Sequence, residues 1–245
     1  GLDGTYHWWM APEVPVTFSN PLPPDVSLLS GSTWLSPNGD GQSDQSSWSV
    51  CATDSDPGAA TMTTLVHAAN GTTIRTLGPT AVETAAYCSW WAGGYQSVMW
   101  DGRADDGTVA PDGEYSVEFR VTDADGLRGQ VVSQPVVVDS QPQGSLTTPA
   151  ADATLSGPTA FAFTPRPGLS LDSVYFSLGG VAASCGVVGL LDAEGVYRGE
   201  LDVSTMSCPD GSATVTAQVG WQGPSGESLI WQTPPIAVSV ATFGI

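Results

Sequence analysis

The chain alternates hydrophobic and polar residues over many short stretches, which is the pattern of β-strands with one buried face. Residues 115–123, YSVEFRVTD, place four hydrophobic side chains on one face: Tyr115, Val117, Phe119 and Val121. Segment 61–77 predicts two strands that meet at Asn70-Gly71, a dipeptide that accepts the positive φ of a tight hairpin turn. The pattern therefore predicts an antiparallel sheet with one face in a core.

The same short, β-branched pattern recurs to the end of the chain, with Gly, Pro and Asp between the repeats: SVYFSL, VYRGELDV, ATVTAQVGW and PIAVSVA. No segment predicts a helix. Many short strands at regular spacing indicate a sandwich or a barrel, and alternation on one face favours the sandwich. The predicted fold class is all-β, with two tandem immunoglobulin-like antiparallel β-sandwiches.

Length and loop composition predict where these domains begin and end. The 245 residues exceed the usual size of one domain, and a polar stretch containing Pro142, Gly144 and Pro149 follows a finished strand. We place one domain at 25–140 and a second at 141–245. Residues 1–24 are predicted to be the end strand of an upstream module plus a Pro-rich linker. Three acid-Gly-x-Tyr motifs, ending at Tyr6, Tyr115 and Tyr197, predict an array of related modules.

The charge of the chain limits the kinds of partner that it can bind. The formal net charge is −19, there is no lysine, and all six basic residues are arginines. Binding nucleic acid or an anionic membrane requires a basic stripe, so we exclude both partners. No apolar run approaches the roughly 18 residues of a membrane span, so no membrane insertion is expected. An acidic surface favours solubility and attracts divalent cations.

Four cysteines fall as one pair in each predicted domain: Cys51 and Cys88, then Cys185 and Cys208. Their spacing does not match a zinc site. Two disulfides within the domains are favoured over four buried free thiols because the pairs respect the domain boundary. Disulfides predict an extracellular or cell-surface location.

Residues 35–44, LSPNGDGQSD, resemble a loop that could bind a cation. Calcium takes six to eight oxygen ligands, and EF-hand-like loops supply one at every second residue. Aligned in that way, four residues become candidate metal ligands: Asn38, Asp40, Gln42 through its carbonyl, and Asp44. The bidentate glutamate is missing because Ser47 takes its position, so other acids would have to contribute: Asp54, Asp56, Asp101, Asp105 and Asp106. The alternative is a turn in which Asn38 and Asp40 bind backbone amides. Any Ca²⁺ would be structural.

Residues 30–126 contain four motifs in order: Ser36–Gly41, Trp100–Arg103, Asp105–Gly107 and Pro111–Tyr115. In this combination they resemble the immunoglobulin-like domain named after the flagellar hook-capping protein, which recurs in secreted and surface-anchored bacterial proteins. The resemblance implies an immunoglobulin-like sandwich. The chain departs from the family pattern between Pro79 and Gly93, where an insert carries Cys88, and we expect Cys88 to join this insert to Cys51. Residues 141–245 look only generically immunoglobulin-like.

The motifs do not indicate an enzyme. The histidines, His7 and His67, lie in different segments, and the motifs of hydrolases, metalloproteases and nucleotide-binding enzymes do not occur. The nine tryptophans exceed what two sandwich cores need. Packing between modules is one explanation, and a sugar-binding platform at Trp90 and Trp91 is another.

The sequence therefore predicts a non-catalytic extracellular module. We interpret it as a spacer, stalk or adhesive segment of a larger secreted or surface-attached bacterial protein. Its expected partners are neighbouring domains of the same protein, with a glycan or protein receptor as a further candidate. The alternative is a carbohydrate-binding or accessory module of a secreted hydrolase or toxin.

Overall fold

The structure is a computed structural model that describes residues 22–89, 93–129, 132–179, 185–204, 208, 211–223 and 226–241. The described residues form strands and turns, which confirms the predicted all-β class. Within these ranges no helix is long and apolar enough to cross a membrane. Trp90, Trp91, His7 and the first acid-Gly-x-Tyr motif lie outside the described residues.

The first sandwich contains two sheets that enclose one core. Its strands are β1 (Asp25–Gly31), β2 (Trp34–Leu35), β3 (Ser46–Thr53), β4 (Ala59–Ala68), β5 (Thr73–Glu83), β6 (Tyr95–Trp100), β7 (Gly113–Asp123) and β8 (Val132–Val138). One sheet has the order β1-β3-β6 and the other β2-β8-β7-β4-β5. Pairing is antiparallel except between the short β2 and β8.

The second sandwich repeats this strand order. Its strands are β9 (Gly144–Thr148), β10 (Thr154–Leu155), β11 (Pro158–Pro165), β12 (Ser173–Gly179), β13 (Cys185–Leu191), β14 (Tyr197–Asp202), β15 (Gly211–Gln222), β16 (Ser228–Gln232) and β17 (Ile236–Val240). The strands β9-β11-β14 correspond to the first sheet, and β10-β17-β15-β12-β13 correspond to the second. Two features are particular to this half: β16 forms a hairpin with β15, and the end of β13 also pairs with β14.

Alternation along the strands determines what enters each core. On β7 the four side chains predicted from the sequence are buried, and the intervening ones are wholly or partly exposed. The largest side chains of the first core are Trp48, Trp100 and Phe119. In the second core, Phe161 and Phe176 stack with ring centroids 5.6 Å apart. The predicted hairpin is also present, with Gly71 at a φ of 83° between β4 and β5.

Both predicted disulfides form, Cys51–Cys88 and Cys185–Cys208, and no described cysteine is free. The first fixes the segment that leads from β5 to β6 against the end of β3. There Ala85 pairs with Thr53, and its backbone amide donates to Ala52. The part of the insert around Ala85 and Cys88 is therefore held beside β3 by backbone hydrogen bonds as well as by the covalent bond.

Two acid-Gly-x-Tyr motifs lie within the described residues, and they start different strands. Tyr115 lies near the start of β7, and its hydroxyl donates to the carbonyl of Pro111 at 2.8 Å, the arrangement known as a tyrosine corner. Tyr197 instead begins β14, which corresponds to β6, and its hydroxyl donates to Leu171. Burial, and then the nearby charge of Asp112, raise the pKa of Tyr115, which keeps the hydroxyl protonated as a donor.

Replacing Tyr115 with Phe should lower the free energy of unfolding of the first sandwich by about 1 kcal/mol, because the ring stays buried but the carbonyl of Pro111 loses its donor. Urea unfolding monitored by tryptophan fluorescence measures this loss. Tyr87→Phe, at an exposed position in the insert, is the control and should change little. Equal effects of the two substitutions would contradict a structural role for the tyrosine corner.

Candidate functional site: the junction between the two sandwiches

Loop 35–44 is a hydrogen-bonded turn built around the carboxylate of Asp44. Its Oδ1 accepts from the amide of Gly39 at 2.7 Å, and its Oδ2 accepts from Gly41 at 2.8 Å. Both glycines have a positive φ, which a larger residue would adopt only with strain. Asp44 therefore holds the two sharp bends of the loop.

Asn38 and Asp40 add two Asx turns, in which a side chain accepts from the amide two residues ahead. The amide of Asp40 donates to Asn38 Oδ1 at 2.9 Å, and the amide of Gln42 donates to Asp40 Oδ1 at 2.8 Å. The predicted turn alternative is therefore what this structure contains.

The rest of the loop contacts the second sandwich. The side-chain amide of Gln42 forms two bonds with the backbone of Gln232: Nε2 donates to the carbonyl at 2.6 Å, and Oε1 accepts from the amide at 2.7 Å. Gln42 thus occupies the place that a neighbouring strand would take beside β16. Asp40 Oδ2 accepts from the indole Nε1 of Trp231 at 3.2 Å.

Trp34 is the hydrophobic part of this junction. It lies on β2 of the first sandwich, yet its side chain packs in the core of the second. It is only 7% exposed, and its ring meets Trp221 edge-on, with centroids 5.2 Å apart and planes at 85°. Val137, its backbone partner on β8, packs against the same core. Two side chains of the first sandwich therefore help to form the core of the second.

A short polar linker completes the junction. Arg166 of the second sandwich forms a two-pronged ion pair with Asp139, with distances of 2.7 and 2.6 Å. Asp112 of the first sandwich accepts from the backbone amide and hydroxyl of Ser140, both at 2.8 Å, and from Nε2 of Gln141 at 3.2 Å. The linker is therefore bonded to both sandwiches.

These contacts shift the protonation equilibria of two groups. Partial burial raises the pKa of Asp112, but the hydrogen bonds from Ser140 and Gln141, together with the positive charge of Arg166, outweigh it, so the pKa is lowered. The hydrogen bond to Asp139 raises the pKa of Arg166. Both groups are thus charged over the neutral range.

A cleft of about 510 Å³ opens between the sandwiches beside loop 35–44. Its apolar wall includes Leu146, Pro234 and Ile236, and its polar rim includes Asn38 and Asp40. Clefts between domains are common positions for ligands. Here Asp40 already bonds Trp231 and the loop, so the polar rim is largely occupied by contacts within the chain.

The predicted cation ligands lie together, but their side-chain oxygens already accept hydrogen bonds from the loop and from Trp231. Both carboxylate oxygens of Asp40 and of Asp44 accept hydrogen bonds, as does Asn38 Oδ1. In the part of the chain that the structure describes, no group of three or more His, Cys, Asp and Glu side chains could hold a metal ion. Three of the additional acids, Asp54, Asp101 and Asp106, also cap turns by accepting from the amide two residues ahead. Calcium binding would require these bonds to be exchanged, and it stays a prediction.

Sequence reasoning did not identify the residues that join the sandwiches. Trp34, Gln42 through its side chain, and Arg166 each contact a residue that is distant in sequence. The one relevant signal was the excess of tryptophan, which led to the expectation that some indoles pack between modules; Trp34 does so. The glycan platform at Trp90 and Trp91 lies outside the described residues and also stays a prediction.

No family model matches the chain, and no curated protein matches it. Among solved structures, it is similar to the fibronectin(III)-like modules of CbhA from Clostridium thermocellum, with 16% identity, a TM-score of 0.39, and coverage of 88% of this chain and 92% of that one. The FN1-FN3 domains of chicken CNTN1 match with 10% identity, a TM-score of 0.42, and coverage of 89% and 68%.

A third similar structure is a tetra-tandem repeat in the extending region of a large adhesion protein, with 17% identity, a TM-score of 0.29, and coverage of 89% of this chain and 49% of that one. These neighbours are fibronectin-like and adhesion-protein modules. Similarity this distant is confined to the general sandwich arrangement and carries no assignment of activity.

The calcium hypothesis predicts that millimolar Ca²⁺ raises the thermal unfolding midpoint by several degrees over EDTA. A ligand that binds only the folded state at about 100 times its Kd adds about 2.7 kcal/mol. The rise should disappear in Asp44→Ala, which removes the central carboxylate, and sodium chloride of matched ionic strength should not reproduce it. A midpoint unchanged by calcium would leave loop 35–44 as a turn and a connector.

The lowered pKa of Asp112 predicts an acid-dependent weakening of the junction. The contribution of Asp112 to the free energy of unfolding is fully present above the unfolded pKa of about 3.9. This contribution is lost as the pH falls through the lower pKa of the folded state. Thermal unfolding should therefore show Asp112→Asn less stable than the parent near neutral pH, with the difference shrinking as the pH falls below the unfolded pKa. Asp125→Asn, at an exposed turn, controls for the removal of one charge. A difference that persists unchanged in acid would contradict this role.

Proposed function

We propose that the chain is a non-catalytic extracellular spacer, a stiff segment that separates neighbouring domains of a larger secreted or surface-attached bacterial protein. The observation that carries the proposal is the burial of Trp34 of the first sandwich in the core of the second. Sandwiches that share core residues cannot rotate freely about their linker. Stiffness is the property that a spacer needs.

The energetic argument concerns the cost of bending. Domains joined by a linker move relative to one another unless their interface is hydrophobic and well packed. Withdrawing a tryptophan that buries about 150 to 250 Å² costs about 4 to 6 kcal/mol, at about 25 cal/mol per Å². That cost keeps the bent population well below 1%. The pairs Gln42–Gln232 and Asp139–Arg166 then restrict rotation about the indole.

Two disulfides support an extracellular location, because such bonds persist in oxidising compartments. The contacts of His67 support a structural role for that residue: Nδ1 lies 3.0 Å from the hydroxyl of Thr73, and Nε2 lies 3.4 Å from Glu118. These partners connect neighbouring strands of one sheet face. An accessory module beside a hydrolase or toxin domain would need the same stiffness. This alternative function therefore stays a prediction.

The first sandwich is further proposed to be of the flagellar hook-capping type. Support comes from two of the motifs that carry the resemblance, since each has a defined structural role here. The indole of Trp100 is fully buried and donates to the carbonyl of Arg103 at 2.8 Å, which closes the Trp-Asp-Gly-Arg turn. The Pro-Asp-Gly-x-Tyr motif forms the tyrosine corner of β7.

Replacing Trp34 with Ala should separate the two sandwiches mechanically. We expect X-ray scattering to change from a rigid two-domain profile to that of a flexible pair with a broader distance distribution. Calorimetry should resolve two transitions where the parent shows coupled unfolding. The free energy of unfolding should fall by about 3 to 5 kcal/mol, the usual cost of truncating a buried tryptophan to alanine.

Two controls separate loss of stiffness from loss of folding. Trp48→Ala removes a tryptophan from the first core, so it should destabilise that sandwich without loosening the junction. Gln42→Ala removes an exposed junction contact and should loosen the pair slightly while both sandwiches stay folded. A parent chain that already scatters as two freely moving bodies would overturn the proposed function.

A further inference from the structure

The outer face of the larger sheet in the second sandwich carries no charged side chain. This face, here called the neutral face, consists of the outward positions of β12, β13, β15, β16 and β17. These are the odd-numbered residues of β12 and β17 and the even-numbered residues of β13, β15 and β16. They are Ser, Thr, Gln, Gly and Ala, with four larger hydrophobic side chains among them.

The neutral face contrasts with the rest of this acidic chain. The corresponding strand of the first sandwich, β7, carries Glu114, Glu118 and Arg120 at its outward positions. Strand β15, which takes the same place in the second sandwich, has no charged residue among its 12 residues. A sheet face open only to water has no physical reason to exclude charge, whereas burying an unpaired carboxylate in a contact is costly.

Three hydrophobic side chains of the neutral face lie together on β12 and β13. Tyr175 lies directly opposite Val188 in the pairing of these strands, and the two are 39% and 59% exposed. Leu190 on β13 is 73% exposed, and the fourth side chain, Ile230, lies across β15 on β16 and is 59% exposed. The remaining outward positions are mostly Ser, Thr, Gln and Gly. An apolar patch beside uncharged hydrogen-bonding groups is the composition of a protein–protein contact.

The face is flat at Tyr175 because its neighbours are small. Gly186 on β13 and Gly220 on β15 occupy outward positions on the two strands that flank β12. The tyrosine hydroxyl lies only 2.1 Å from where a Cβ on Gly186 would be, so the ring extends across that glycine. A ring that lies along the sheet presents its surface outward, which suits stacking against another flat face.

We propose that the neutral face is the contact between two copies of this chain, stacked face to face through the second sandwiches. The face has no charge pattern that would select a foreign partner, and a surface of hydroxyl, amide and apolar groups is complementary to itself about a two-fold axis. Elsewhere a contact between two copies of net charge −19 would bring carboxylates together.

The available area fits a small, reversible contact. Strands β16 and β17 share the row beside β15, so the neutral face has four rows of strands. Rows spaced about 4.8 Å apart, with about 25 Å of usable length, give about 480 Å² of flat face per copy. Side-chain relief raises the accessible area toward the roughly 600 Å² per partner at the lower limit of specific protein interfaces. Paired sheets of this kind pack about 10 Å apart.

The charge of the whole chain gives this association an unusual salt dependence. Acids such as Asp152 and Asp172 lie beside the neutral face, and each copy repels the other through them. Salt screens that repulsion, with a Debye length of about 10 Å at 0.1 M. Self-association should therefore strengthen as salt rises, the opposite of a contact held by ion pairs.

The test is sedimentation equilibrium of the full chain at about 0.02 M NaCl, where charge repulsion is weakly screened, and at about 0.5 M NaCl, where it is strongly screened. We expect a monomer–dimer equilibrium that shifts toward dimer at the higher salt. Val188→Asp should weaken association at least about tenfold because the new carboxylate is buried against the second copy. Met99→Asp is the matched control, since Met99 is 62% exposed on β6 of the first sandwich, and it should change association little.

A second variant separates the neutral face from simple charge repulsion. Val188→Lys changes the formal net charge from −19 to −18. If repulsion alone set the association, this variant would associate more strongly than the parent. The proposal requires it to associate more weakly, as Val188→Asp does. Circular dichroism and the thermal midpoint check that both variants, at an exposed position, remain folded.

Three further outcomes would overturn the proposal. The first is a chain that stays monomeric at both salt concentrations up to its solubility limit. The second is a dimer that Val188→Asp and Met99→Asp affect equally. The third is a monomeric chain retained on an insoluble neutral polysaccharide such as cellulose, with retention lost in Val188→Asp, which would assign the face to a glycan.

Discussion

The burial of Trp34 is the constraint on which the arrangement of the two sandwiches depends. Its strand, β2, joins the first sandwich through parallel pairing with β8, and its indole contacts Trp221 in the second core. The side chain therefore belongs to one sandwich by backbone hydrogen bonds and to the other by hydrophobic packing. Because cores are close-packed, the indole has little freedom to shift, and the sandwich that carries it is held in place.

The polar contacts of the junction gain their importance from this buried ring. An exposed hydrogen bond such as Gln42–Gln232 contributes about 1 kcal/mol, and a partly buried ion pair such as Asp139–Arg166 contributes about 1 to 3 kcal/mol, so neither alone would fix two domains. With the indole in place, the same groups are held within bonding distance and lose little further freedom on pairing. They determine the rotation of one sandwich about the ring, which the non-directional hydrophobic contact leaves undefined.

The sequence predicted the strands, the hairpin at Gly71 and both disulfides, because strand alternation and turn chemistry are local and the cysteine pairs follow the domain boundary. It did not predict the junction, because Trp34 and Trp221 resemble any other core tryptophan until the chain is folded. Loop 35–44 shows the same limit: its Asx turns could be predicted, whereas its contacts with Trp231 and Gln232 span some 190 residues of chain. The motif ending at Tyr197 could be read as a turn followed by a strand, but local sequence does not specify which strand of the sandwich it starts.

The distribution of acids also follows from the turns. Several aspartates accept a hydrogen bond from the backbone amide two residues ahead: Asp40, Asp54, Asp101, Asp106, Asp139, Asp192 and Asp202. Turn chemistry favours aspartate at such positions, so acids accumulate in the loops at the ends of the sandwiches. Domains joined end to end must then meet across carboxylates. At this junction Arg166 pairs with Asp139 and the indole of Trp231 donates to Asp40, so two of these carboxylates face donors of the second sandwich instead of other acids. The contact that stiffens the chain therefore also limits the repulsion that its turns create.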